Sequence, residues 1–185
     1  MATATRTLRA DARRNRDALL QAAGELFALD GPDVSLEAIA RRAGVGIGTL
    51  YRRFPTRDAL VEAVYRNEVA QLHDAAAELL RELPPDLALA AWIDRLITFV
   101  TTKRGMASAL RCAAAAKEEL AAHSRARLLD AIGTLLTAGA AAGTLRADVG
   151  ADDLLRALGA VWSLEDAAQA RRIAGLLVDG VRYGA

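Results

Sequence analysis

The chain has 185 residues and a mass of 19.6 kDa, room for one sizeable domain or two small ones. Its 24 Lys+Arg against 23 Asp+Glu leave a net charge of +1, so no strong field of one sign acts on partners. Hydrophobic residues at 53% exclude a disordered chain, the single cysteine excludes an internal disulfide, and two histidines cannot complete a Cys/His zinc cluster.

Apolar residues recur at spacings of three and four along most of the chain, and alternation is scarce. A first helix is predicted from about Asp11 to Leu29, with Leu19, Ala23, Leu26 and Phe27 on one face and Asp30-Gly31-Pro32 as its stop. Ser35 caps a short helix, about Leu36–Ala43, that points Ile39 inward. Gly44 punctuates, and a second short helix runs from about Ile47 to Phe54. Pro55 ends it and Thr56 caps a long helix, about Arg57–Leu83, closed by Pro84-Pro85. Further helices are expected at about Asp86–Thr102, Met106–Ala115 beyond Gly105, Glu118–Ala141, Asp152–Ser163 and Glu165–Tyr183. The fold class is all-α, with about nine helices and no internal repeat.

Charge is uneven. Over residues 1–57 ten arginines face six acids, an excess of +4, whereas 58–185 carries fourteen basic against seventeen acidic residues, −3. A polyanion-facing front module and a merely solvated arginine face both fit this distribution. No apolar run approaches the roughly 20 residues of a membrane span. The polar, basic start lacks a secretory core, so a soluble cytoplasmic protein is expected, with no cofactor and no bound metal.

The segment SLEAIARRAGVGIGTLYRRF, residues 35–54, reads helix, tight turn, helix. Two short helices that cross steeply need a small residue where their backbones approach, here Ala40, and positive φ where the chain reverses, here Gly44. Ile39, Val45 and Leu50 form an apolar wedge that sets the angle. Outward on the second helix stand Gly46, Gly48, Thr49, Arg52 and Arg53, small or cationic, as a surface pressed into a major groove requires. An ordinary helical hairpin with a basic rim has the same pattern.

The run GVGIGTLYRRFPTRDALVEAVY resembles the DNA-binding segment of the tetracycline-repressor (TetR) family of bacterial regulators. Thr49-Leu50-Tyr51, Phe54-Pro55 and Arg57 carry the likeness, together with Leu19, Ala23, Leu26, Phe27 and Gly31 upstream. It is specific over about residues 14–65; beyond them it rests on helix number and order, and on TTKRGMASAL and AGTLRADV, which are similar to one subgroup. The resemblance implies a helix-turn-helix domain over 1–56 and a ligand-binding and dimerisation domain over 57–185. It implies that Thr49 contacts bases or phosphate, that Gly46, Ile47 and Gly48 line the same edge, and that Tyr51 binds phosphate. It sets Arg52 and Arg53 at variable base- or phosphate-contacting positions, Arg57 on phosphate, and Ser35 as cap and phosphate contact. Glu37 is a departure, an acid near the duplex. Arg13 and Arg14 are expected to contact phosphates, and Arg6 and Arg9 to ride on a flexible arm.

In the second half, the last two helices carry more apolar residues than one inward face needs: Leu154, Leu155, Leu158, Val161, Ile173, Leu176, Leu177 and Val181. A buried hairpin and a four-helix contact with a second copy both fit, and a homodimer matches the paired readers that a palindromic operator calls for. Candidate effector contacts are Trp92, Phe99, Lys103, Arg104, Met106, Arg111 and Trp162, each open to a plain core or surface role; His73 and His123 read as exposed. The resulting expectation is a dimeric DNA-binding regulator, a repressor released by an unidentified small molecule. A helical adaptor for another protein is the alternative. An all-α enzyme is disfavoured, since no HExxH, GxSxG or phosphate loop is present.

Overall fold

The computed structural model describes the backbone of all residues except 1, 32, 111–113, 162–163, 165 and 183–185; side chains are described for 11–161 apart from 32 and 101–117, and for 164, 166 and 168–182. Among the described residues the named elements are all helices: α1 Ala2–Asp30, α2 Leu36–Arg42, α3 Ile47–Arg53, α4 Arg57–Glu82, α5 Pro85–Leu110, α6 Ala114–Ala141, α7 Ala151–Val161 and α8 Ala167–Val181.

Among the described residues eight helices stand where about nine are expected, because α5 runs through Gly105 without a break. A lone glycine costs a helix only about 1 kcal/mol, and no proline or capping residue beside it ends the run. Residues 2–10 continue α1 rather than forming the expected flexible arm of Arg6 and Arg9, since nothing before Asp11 breaks the helical pattern.

The chain divides into two compact units, Met1–Asn67 with Thr101–Lys117, and Glu68–Val100 with Glu118–Ala185. In the first, Leu19, Leu20, Ala23 and Phe27 of α1 pack with Ile39, Ala40, Leu50, Phe54 and with Leu60, Val61 and Val64 of α4. The opening turns of α4 therefore complete the core of the first unit.

In the second unit Trp92 is fully buried and its indole N–H donates to the Leu72 carbonyl at 2.7 Å. Surface ion pairs tie its helices: Arg171–Asp94 at 2.8 Å and Arg182–Asp86 at 3.4 Å join α8 to α5, and Arg125–Asp152 joins α6 to α7. After α6 the chain reverses at Gly143, φ 68°, where the Thr144 and Gly143 amides return to the carbonyls of Gly139 and Ala140. Leu145 then packs so closely on Gly139 that a Cβ there would lie 2.2 Å from Leu145 Cδ1.

Candidate nucleic-acid interface

Ser35, in extended conformation, accepts the Ala38 amide on its Oγ at 3.1 Å and starts α2. The end of α2 is a full left-handed cap. Gly44 takes φ 68°, its N–H returns to the Arg41 carbonyl at 3.2 Å, and the Val45 N–H returns to Ala40 at 3.0 Å. These bonds fix the reversal that aims α3. Ala40 is buried, and Ile39 and Leu50 are fully buried with Val45 packed against them. The inner side of α3 is thus anchored by one leucine.

Its other side faces solvent. Gly46, Ile47, Gly48, Arg52 and Arg53 are exposed, Tyr51 is 46% exposed and Thr49 is half-buried. The expected reading edge is therefore assembled on one open surface. Arg52 is steadied by donating to Thr49 Oγ1 at 3.2 Å. Arg53 reaches across to α1 and donates to the Ala12 carbonyl at 2.9 Å, a tie that sequence spacing does not disclose. Between α1 and α3 lies a cleft of about 340 Å³ that includes Asn15, Arg16, Thr49, Arg52 and Arg53. Arg13 and Arg14 are exposed on α1, Arg14 paired with Asp11. On the α2 side, Arg42 binds Glu25 of α1 at 2.8 Å, which holds that carboxyl below its ordinary range.

Arg57 serves the fold as well. Its guanidinium donates to the Val34 carbonyl at 2.7 Å and lies 5.8 Å from the centre of the Phe27 ring, so it braces the loop before α2 against α1.

The other expected sites fare differently. Trp92 is fully buried, with its indole N–H bonded inside. Phe99 is buried at the floor of a cleft between α4 and α5. The side chains of Lys103, Arg104 and Met106, and all of Arg111 and Trp162, lie outside the described residues. Of the residues assigned to a dimer contact, Leu154, Leu155, Leu158, Val161 and Val181 are buried within the chain itself, because the helices of the second unit already cover them. Leu176 is 71% exposed, and Ile173 and Leu177 are half-buried. His73 is half-buried between two carboxylates, Asp74 and Asp130, each at 2.9 Å from one ring nitrogen.

The fold and this surface define a helix-turn-helix transcriptional regulator. Residues 19–64 match the family described as Bacterial regulatory proteins, tetR family, and residues 84–183 match Transcriptional regulator SbtR-like, C-terminal domain. A TetR transcriptional regulator of Streptomyces coelicolor, SCO0520, is 48% identical, with 92% of this chain and 99% of that one covered and a TM-score of 0.83. A TetR regulatory protein of Mycobacterium vanbaalenii is 37% identical over 95% and 99%, with a TM-score of 0.77. The HTH-type transcriptional regulator SAR0097 of Staphylococcus aureus is 34% identical over 80 residues, and the match spans 42% of this chain and only 41% of that relative. The chain belongs to the TetR family of transcriptional regulators, and the likeness extends well past residue 65.

Proposed function

We propose that the chain acts in the cytoplasm as a two-fold dimer that represses transcription from a palindromic operator and releases it when a small molecule binds the second unit. The observation that carries this reading is the open face of α3, with Tyr51, Arg52 and Arg53 exposed and Thr49 half-buried at its edge, while Leu50 is the buried residue of the helix. Arginine at Arg52 and Arg53 suits bidentate donation to guanine O6 and N7; Tyr51, Ser35, Arg13 and Arg14 suit phosphate oxygens. Gly46 and Gly48 carry no side chain to hold the backbone off the duplex.

The exposed Leu176 on α8, flanked by the half-buried Ile173 and Leu177, supports pairing with a second copy. Paired readers then address successive major grooves about 34 Å apart. To move occupancy from 1:99 to 99:1 an effector must favour the released spacing by about 5.5 kcal/mol.

Selection of bound sequences from a random duplex pool, followed by a salt titration on the enriched site, tests the reading. A palindrome is expected to emerge, with affinity falling steeply as salt rises. Arg13→Ala or Arg14→Ala is expected to weaken all sequences alike and to reduce the salt slope by about 1. Full affinity in a Tyr51→Ala, Arg53→Ala double variant would overturn the assignment of α3 as the reading helix.

A further inference from the structure

We propose that the cleft between α4 and α5 in the second unit binds small organic cations, with an amine or amidinium head on the Glu68 carboxylate and an apolar body on Leu72, Ala75 and Phe99. The cleft holds about 270 Å³, close to the lower limit of ligand pockets and right for a fragment-sized molecule. Its floor is apolar, for Leu72, Ala75 and Phe99 are all buried side chains. It is also fixed, because the Trp92 indole on α5 holds the Leu72 carbonyl on α4 at 2.7 Å.

The charges of the cleft decide what it takes. Asp94 is already neutralised by Arg171 at 2.8 Å. Arg95 stands exposed on α5 and forms no ion pair among the described residues. Glu68 is half-buried, and among the described residues nothing donates to it or pairs with it, so burial alone acts on its carboxyl and pushes its pKa up. A carboxylate drawn partly out of water with no cation beside it is an unfavourable arrangement that a bound ammonium or amidinium relieves. A neutral ligand of the same shape leaves the carboxylate as it was, and an anion adds repulsion.

The effector role of such a cation rests on the regulatory reading above, whereas binding itself does not. The test uses the full chain, with benzylamine, benzyl alcohol and benzoate as probes of one shape and three charges, followed by amide shifts in nuclear magnetic resonance. Benzylamine is expected to give saturable shifts over Glu68–Ala75 and Asp94–Phe99, benzyl alcohol to bind at least about tenfold more weakly, and benzoate not to bind. Glu68→Gln is expected to erase the preference for the amine, while Arg95→Gln leaves it equal or stronger. Equal binding of amine and alcohol by the unaltered chain, or an unchanged preference in Glu68→Gln, overturns the proposal. Affinity for the selected duplex, measured in parallel, separates the two ideas: charge-selective binding without loss of DNA affinity keeps the cation site and removes its effector role. Regulation by other molecules, with no charge-selective binding here, removes the site alone.

Discussion

At Gly44 the backbone holds φ at 68° with open space where a Cβ would go, whereas at Gly139 the backbone is ordinary helix and a Cβ would strike Leu145. Gly44→Ala is therefore expected to cost about 1–2 kcal/mol through left-handed strain alone. Gly139→Ala should cost about 1–3 kcal/mol through displacement of a buried leucine. Gly48 is a third case, helical with nothing near its Cβ position. Gly48→Ala should stabilise the fold slightly, by up to about 1 kcal/mol, while weakening DNA binding. Thermal unfolding and duplex affinity measured on the same samples check all three, and a Gly48→Ala protein with undiminished affinity would deny that the backbone of α3 approaches the duplex. Gly44 was legible as a hinge because it sits at the one reversal between two short helical patterns. The need for Gly139 was not, since it depends on where Leu145, beyond the turn, comes to rest.

Local capping chemistry, at the scale of elements, made the ends of α2 and α4 readable: Ser35 and Thr56 each accept the amide three residues on. Bonds between helices left no such trace. Arg53 on Ala12, Arg57 over Phe27 and His73 against Asp130 link residues 41, 30 and 57 positions apart. The His73 contact also makes a pH prediction. With a carboxylate on each ring nitrogen, only the doubly protonated ring can donate to both, and these bonds raise its pKa above the ordinary 6.5, Asp74 first and Asp130 next, against burial and Arg127. A raised folded-state value means that its stabilisation is complete below the unfolded value and is lost as pH climbs through the folded one. The stability gap between the unaltered chain and Asp130→Asn should therefore be wider at about pH 5.5 than at about pH 8.5 in urea unfolding. A gap independent of pH would mean that the α4–α6 tie does not depend on the imidazolium.

For the molecule as a whole, the apolar surplus of the last two helices was visible in the sequence, but its division between core and exterior was not. Burial assigns Leu154, Leu155, Leu158, Val161 and Val181 to the interior and leaves Leu176 in solvent. Leu176→Arg is accordingly expected to leave the fold intact, because the side chain leaves no cavity, and to shift sedimentation toward the monomer at micromolar concentration. Affinity for a two-half-site duplex should fall with it, while affinity for a single half-site should not. Leu158→Arg places a charge in the core and should unfold the unit instead.

Sequence alone determined that this chain is helical, where its helix-turn-helix lies, how that motif is capped and hinged, and which family it resembles, because each of these depends on residues within a few positions of one another. Tertiary structure decided which arginines are bound to the protein and which stand toward solvent, which leucines are interior, and that Glu68 is half-buried with no cation beside it among the described residues. Those outcomes are set by contacts between distant segments, and period, cap and charge count carry no record of which segments meet.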